Sequence, residues 1–334
     1  MQYLGHLPSS DMLYQYLKYE IQPQLSDHRD VDYRVYRLNG SNAVYLYEDK
    51  YSKTRVIGKF FLSGQEHDAN AAGRRLNREC CHLRMLRDLG FAGSPHYIAR
   101  PLGCNPGLNQ LLVTEFCNGE LLSSIIERAI RTGDHALLYG KLTALAYFLA
   151  TLHNRTAKPE NRVNFTEAVW YMETLLARIR DCGLDGDLGE LYHLRDCWRG
   201  QPKMWEDASV LVHGDATPEN FMHGDGLHVI SYDLERLRRA DRVFDLGRMA
   251  GELAHFFHSQ TGSRGGAEPF IGHFLWEYAC HFPDRDRAFA AIVRRVPFYM
   301  GLTLLRIARN NWLDWNYRKQ LIDEARICLR EFQR

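Results

Sequence analysis

At 334 residues the chain is long enough for two domains and too short for three ordinary ones. Hydrophobic residues make up 45% and charged residues 25%, a globular balance that excludes a disordered chain. The 42 Lys plus Arg against 41 Asp plus Glu leave a formal charge of +1, so there is no overall field to gather nucleic acid or an anionic membrane, and neither is expected as a partner.

The start, Met1-Gln-Tyr-Leu-Gly-His-Leu-Pro8, lacks the basic end and apolar core of a secretory leader. No segment approaches the ~20 apolar residues that span a bilayer, so a cytoplasmic location is expected. From Asp11 to about Gln24, Leu13, Tyr16, Leu17 and Ile21 recur at helical spacing, with Ser9, Ser10 or Asp11 as caps. Residues 1–30 are therefore expected as a helical appendage. Runs at about 33–38, 43–48 and 54–62, rich in Tyr, Val, Ile and Phe and separated by Asn39-Gly-Ser-Asn42 and Asp49-Lys-Tyr-Ser52, predict an antiparallel meander. A helix is expected from about Glu66 to Leu89, ending before Gly90, then strands at about 97–102 and 110–116.

After Cys117-Asn-Gly119 the chain reads as helix, near 120–132, 135–153, 165–183, 187–199, 242–259, 267–281, 285–310 and 317–333, interrupted by short strands around 208–235. Strands first and helices afterwards describe an α+β chain: a small sheet domain over 31–117 and a mostly helical one over 118–334, with a nucleotide expected between them. The eight cysteines show no Cys-x-x-Cys pair and no zinc spacing, and are expected as reduced thiols. His255 and His258 lie in an apolar helical stretch without an obvious third ligand and read as residues of the helix surface or core.

The chemistry concentrates in Val210-Leu-Val-His-Gly-Asp-Ala-Thr-Pro-Glu-Asn-Phe221 and Val229-Ile-Ser-Tyr-Asp-Leu-Glu235. Any one of these Asp or Asn residues reads as a turn or cap. As a set flanked by apolar strands, Asp215, Asn220 and Asp233 supply two carboxylates and an amide for one metal–phosphate centre. Phosphoryl transfer is helped mainly by positioning and charge stabilisation, with a carboxylate to orient the attacking hydroxyl and accept its proton. Asp215 is the candidate for that role. Magnesium prefers oxygen ligands, which Asn220 and Asp233 offer, with Glu235 in direct or supporting contact. In Val56-Ile-Gly-Lys-Phe-Phe61 the strand carries one cation, Lys59, and Glu79 follows on the expected helix, with Glu66 as a competitor.

These motifs resemble the aminoglycoside phosphotransferase and choline kinase family, small-molecule kinases with a bilobal protein-kinase-like fold. His213-Gly214-Asp215 with Asn220, Asp233-Leu-Glu235 and Phe244-Asp245-Leu-Gly247 carry the resemblance, which covers about Val31 to Trp315. It implies ATP, with GTP left open, and Mg2+. It implies Lys59 on the phosphates, Glu79 orienting it, and His213 and Asp245 as structural support. Asn39-Gly40-Ser41-Asn42 looks like the family's nucleotide-covering turn, though an ordinary β-turn explains Asn-Gly equally well. Leu112-Val-Thr-Glu-Phe-Cys117 resembles its hinge strand, implying adenine contacts from the main chain of Glu115 and Cys117, beside Thr114. No Walker-type Gly-x-x-x-x-Gly-Lys-Ser/Thr sequence is present.

The resemblance places the acceptor against the helical part, where Glu252, His255, Arg306, Arg309, Trp312, Asp314 and Trp315 mix charges. A polycation such as an aminoglycoside is disfavoured there. Tyr299, Trp312, Trp315 and Tyr317 offer either a choline cage or helix packing, and packing is the expectation, while Arg306 and Arg309 offer instead a site for a carboxylate or phosphate on the acceptor. A sugar or amino-alcohol hydroxyl is the expected acceptor, with choline, ethanolamine or an aminoglycoside as alternatives. A non-catalytic nucleotide-binding scaffold is the competing class, and keeping Lys59, Asp215, Asn220 and Asp233 together argues against it. Asp245 follows Asp233 by only twelve positions, too few for a peptide-docking segment.

Overall fold

In a computed structural model of the chain, residues 1–38, 43–63, 68–184 and 188–333 are described. The expected turn residues Gly40, Ser41 and Asn42, and the competitor Glu66, lie outside them. The chain divides into two units, Met1–Gly119 with Ile230–Glu235, and Glu120–Val229 with Arg236–Arg334.

The first unit is built on an antiparallel six-stranded sheet. Its strands are β1 (Gln2–His6), β2 (Tyr33–Arg37), β3 (Ala43–Asp49), β4 (Arg55–Phe60), β7 (Pro101–Asn105) and β8 (Leu111–Glu115), in the order β1-β2-β3-β4-β8-β7. The Tyr-, Val- and Leu-rich central strands β3, β4 and β8 have only buried or half-buried residues, whereas the edge strand β1 is exposed along nearly its whole length. The first thirty residues differ from the helical appendage expected of them. β1 pairs with β2 as an edge strand, and α1 (Met12–Tyr16) runs on through a π turn to Ile21. Leu13, Tyr16, Leu17 and Ile21 enter one core with Val31, Tyr33, Tyr47, Val56, Leu111 and Val113. Gln2-Tyr-Leu-Gly-His6 gave no strand signal because it is exposed along nearly its whole length and is interrupted by Gly5 at φ +122°.

α2 (Ala69–Asp88) starts where Asp68 accepts from the N–H groups of Asn70 and Ala71, and Gly90, at φ +93°, follows its end. It buries Ala72, Leu76, Glu79, Cys80, Leu83 and Leu86, a stripe at three- and four-residue spacing. The short strands β5 (Ala92–Gly93) and β6 (His96–Ile98) pair after it. Cys80 is bonded to Cys104 on β7, a correction to the expectation that all thiols are free. The pair escaped sequence reading because the packing of a helix on a strand, not a spacing, brings the two together.

The second unit is mostly helix. β9 (Glu120–Leu121) leads into α3 (Leu122–Thr132) and α4 (Ala136–Thr156). β10 (Lys158–Arg162), fully exposed and unforeseen, holds Pro159 at a sheet edge, where a missing N–H is tolerated. α5 (Thr166–Asp181) and α6 (Gly189–Arg199) follow, then β11 (Ala208–Val212) and β12 (Phe221–His223). After β13 (Val229–Ser231) come β14 (Arg238–Ala240), α7 (Val243–Thr261), α8 (Glu268–Ala279), α9 (Arg285–Val293), α10 (Val296–Ala308) and α11 (Trp315–Leu329). β11 lies between β10 and β14.

α7 crosses α10 at two glycines: a Cβ on Gly247 would stand 2.3 Å from Tyr299 Cβ, and one on Gly251 2.6 Å from Thr303 Cβ. The single helix expected over 285–310 is two. Pro297 lacks the N–H an uninterrupted helix needs but suits a first turn. At the break Arg295 reaches Asp207 at 2.7 Å and both Asp241 oxygens at 3.0 Å. Among the described residues no single helix is long and apolar enough to cross a membrane; α9 and α10 reach that length only together, bent by 44°.

Candidate active site

In the first unit the meander register sets Lys59 opposite Val44 and Leu112, and its side chain meets the buried face of α2. Lys59 Nζ donates to Glu79 Oε2 at 2.7 Å and to Asp233 Oδ1 at 2.8 Å, with Glu235 Oε2 at 4.0 Å. Arg75 binds Glu235 at 3.1 Å, and His82 donates Nδ1–H to the Leu234 carbonyl at 2.8 Å, fixing the segment between the two acids. Asp233 sits at φ +60°, a left-handed conformation rare for a residue with a side chain. Burial opposes the Lys59 charge, but the three carboxylates outweigh it and hold the ammonium above its ordinary range. Glu79 is raised, first by burial and then by Asp233 and Glu235, with Lys59 opposing.

Glu79, Asp233 and Glu235 each offer an oxygen within 4.8 Å of the others. Three carboxylates around one lysine and one arginine leave excess negative charge on hard oxygen donors, which fits a divalent cation such as magnesium. At the end of β8, Glu115 is committed to structure: Oε1 accepts from Tyr97 Oη at 2.6 Å and the Arg100 N–H at 2.7 Å. The Cys117 thiol is pushed up to about 12 by burial, with Glu115 adding and Arg87 opposing, so it stays protonated.

In the second unit β11 delivers His213-Gly214-Asp215. Gly214 has φ +79°, and a Cβ there would stand 2.1 Å from the Arg236 carbonyl oxygen, so the turn requires glycine. Buried Asp245, at the start of α7, accepts from the His213 N–H at 2.6 Å and the Gly214 N–H at 3.0 Å. His153 and Tyr278, which the sequence did not single out, complete the brace: His153 Nε2 lies 3.2 Å from Asp245 and Nδ1 2.8 Å from Tyr278 Oη. His213 takes the Asp215 N–H on Nδ1 at 3.4 Å and packs its ring against Phe221. Asn220 donates its amide to the Asp215 carbonyl at 2.8 Å, which leaves Oδ1 as its oxygen for a cation.

The Asp215 carboxylate faces three arginines: Arg306 at 3.1 Å, Arg236 at 3.5 Å and Arg248 at 3.9 Å. Burial raises its pKa, yet the guanidinium charges win and hold it below the usual carboxylate range. Arg306 also binds Glu252 at 3.0 Å. Arg248 and Arg236 were not anticipated, although Arg248 stands three residues after Asp245 on the same helix.

The four aromatics considered for a cage have different surroundings. Tyr299 is buried against Phe165, Phe244 and Phe298 and donates to Asp241 at 3.3 Å. Tyr317 meets His255 at 2.7 Å and His258 ring to ring, which accounts for both histidines as packing residues. Packing therefore describes Tyr299 and Tyr317 but fails for Trp312, which is 77% exposed, and for Trp315, which is 42% exposed.

Several solved structures are similar to this chain. They include aminoglycoside phosphotransferase APH(2'')-Ib with ADP bound (12% identity over 97% of this chain and 99% of that one, TM-score 0.58). An ethanolamine kinase of Plasmodium vivax (14%, 94% and 89%, TM-score 0.60) and a choline kinase of Streptococcus pneumoniae (17%, 96% and 99%, TM-score 0.52) are similar too. At such identities the likeness shows the α+β kinase-like fold and no more. No curated protein sequence matches the chain. Residues 33–281, well over half of the length, match the model of the phosphotransferase enzyme family, and span Lys59, Glu79, Asp215, Asn220, Asp233 and Asp245. The chain therefore belongs to the phosphotransferase enzyme family and carries the kinase-like fold of its small-molecule kinases.

Proposed function

We propose that the protein moves the γ-phosphoryl group of ATP to a hydroxyl of a small molecule, with Asp215 as the base. The observation that carries this reading is Lys59 bonded at once to Glu79 and Asp233, at 2.7 and 2.8 Å. A structural lysine has no need of a second acid beyond the buried Glu79, whereas one that holds phosphate must be kept charged and aimed. Asp233 and Glu235, with Asn220 Oδ1 as a further oxygen, are the side chains proposed to hold magnesium. Bound there, the ion would neutralise charge developing on the phosphate oxygens.

Asp215 accepts a hydrogen bond from the acceptor hydroxyl. As the O–P bond forms, the bridging oxygen–γ-phosphorus bond breaks, its electron pair leaves with ADP, and the hydroxyl proton passes to Asp215. Glu115 and Cys117 are the main-chain contacts proposed for the adenine, and Gly40, Ser41 and Asn42 for the phosphates. His213 and Asp245 are proposed to hold the loop.

The test is acceptor-dependent ADP release across sugars, amino alcohols and aminoglycosides, repeated with Asp215→Asn. Loss of a general base is expected to lower kcat by about 10²- to 10⁴-fold. ATP affinity, measured by calorimetry with and without chelator, should survive the substitution and depend on magnesium. Unchanged turnover in Asp215→Asn removes Asp215 as the base. Equal ATP affinity with and without chelator removes the metal assignment.

A further inference from the structure

The arginines around Asp215 outnumber what that carboxylate and Glu252 require. Arg248 is 3% exposed, yet its Nε and Nη1 have no hydrogen-bond partner, nor does Nε of Arg306. Orphaned donors on a buried charged group are costly unless a ligand meets them. Arg309, one position past the end of α10, makes no ion pair among the described residues, and the charges of Arg178, Arg306 and Arg236 bear on it. Tyr171 on α5 shares the patch: its phenol is lowered despite burial, because Arg248, Arg306 and Arg309 all face it. Burial pushes Glu252 up to about 7, so this acid is part neutral near neutral pH and offsets Arg306 only in part.

Building on the function proposed above, we infer that the acceptor carries an oxyanion, a carboxylate or a phosphate monoester, bound by Arg248, Arg306 and Arg309 beside the hydroxyl that meets Asp215. Guanidinium groups present paired donors that match the two oxygens of either anion. The nucleotide phosphates have their own cation in Lys59, whereas these arginines gather at the group that receives the acceptor hydroxyl. A quaternary ammonium or a polyamine would be repelled here.

The test uses the full chain with ATP and magnesium. Four acceptors share one hydroxyalkyl skeleton and differ at the far end: carboxylate, phosphate monoester, carboxamide and trimethylammonium. One of the two anions should exceed the amide in kcat/KM by 100-fold or more, and which one identifies the source. Arg309→Gln should raise KM for that anion at least tenfold with kcat little changed, and Arg309→Lys should recover part of the loss. Equal or better use of the amide or the ammonium overturns the inference, as does an Arg309→Gln defect confined to KM for ATP.

If no acceptor is turned over, the kinase reading is at fault, and the anion site is read by binding alone. Inorganic phosphate titrated by calorimetry without nucleotide should then bind at millimolar levels or better, and at least tenfold more weakly to Arg309→Gln. Equal affinity, or no binding, sinks the site. Arg309 is only partly buried and makes no ion pair among the described residues, so its replacement does not put folding at risk.

Discussion

Replacing Asp245 with asparagine keeps the shape of the brace and changes only its chemistry. The carboxylate is fully buried and accepts two backbone N–H groups, from His213 at 2.6 Å and Gly214 at 3.0 Å, and the ring of His153 at 3.2 Å. Burial lowers the pKa of His153, so it is a neutral donor here, with Nδ1 accepting from Tyr278. An asparagine has one acceptor oxygen, and its amide nitrogen must confront at least one of these donors. A hydrogen bond to a charged group contributes about 1.5–3 kcal/mol, and a buried donor left unmet costs about 1–3 kcal/mol, so Asp245→Asn should lose on the order of 3–5 kcal/mol.

The measurement is urea unfolding of wild type and variant, followed by tryptophan fluorescence. Burial alone would raise the acid, but the hydrogen bonds from His153 and Gly214, with the His153 and His213 rings, hold the folded pKa below its ordinary value. The contribution is therefore present above the unfolded pKa, near ~4, and lost as pH falls through the folded one. The gap between the proteins should narrow in acid. A loss below about 1 kcal/mol at pH 7, within the reach of an ordinary surface substitution, or a gap independent of pH down to about 3, would refute the brace.

Gly247→Ala should lower stability by about 1–3 kcal/mol, because its Cβ would stand 2.3 Å from Tyr299 Cβ and 3.0 Å from the Tyr299 carbonyl carbon, forcing α7 and α10 apart. Gly140→Ala in α4, where a Cβ meets nothing within 4 Å, is the control and should be neutral or stabilising by up to about 1 kcal/mol. Equal melting temperatures for the two variants would show that the helix crossing is loose. Reducing the Cys80–Cys104 bond, which closes a separation of 24 residues, should cost about 3 kcal/mol and lower the melting temperature of wild type but not of Cys104→Ser. Alkylation of all eight cysteines without reductant would contradict the bond.

The sequence was most legible where chemistry dictates residue type. His213-Gly-Asp215 could be read because a left-handed turn under the Arg236 carbonyl tolerates only glycine, and Asp245 because two N–H groups at that turn need a buried acceptor. The Lys59–Glu79 ion pair was foreseeable since strand alternation and helical periodicity aim both inward. What escaped notice depends on long-range packing: β1 as an edge strand, the bond between Cys80 and Cys104, and the gathering of Arg236, Arg248 and Arg306, from three separate segments, at Asp215. No local pattern marks an arginine that turns inward, since on a helix it reads as a solvated face.

The two clusters have opposite electrostatic characters, and this bears on what Asp215 can contribute. Around Lys59 carboxylates are in excess, which suits a divalent cation; around Asp215 guanidinium groups are in excess, which makes the carboxylate a weak base. A weak base is a handicap where a nucleophile must be deprotonated early. It is little handicap in phosphoryl transfer, whose loose transition state leaves the proton on the hydroxyl until the new bond is well advanced. On the proposed reading Asp215 therefore acts chiefly by holding the hydroxyl in line, and the proton follows late. Because its folded pKa lies below the ordinary carboxylate value, Asp215 stays ionised as pH falls, so kcat should show no acid limb attributable to it above about pH 4. A limb near pH 6 that persists with saturating substrates would assign the base to another group, and Glu252, pushed up to about 7 and bound to the same arginine, would be the one to examine.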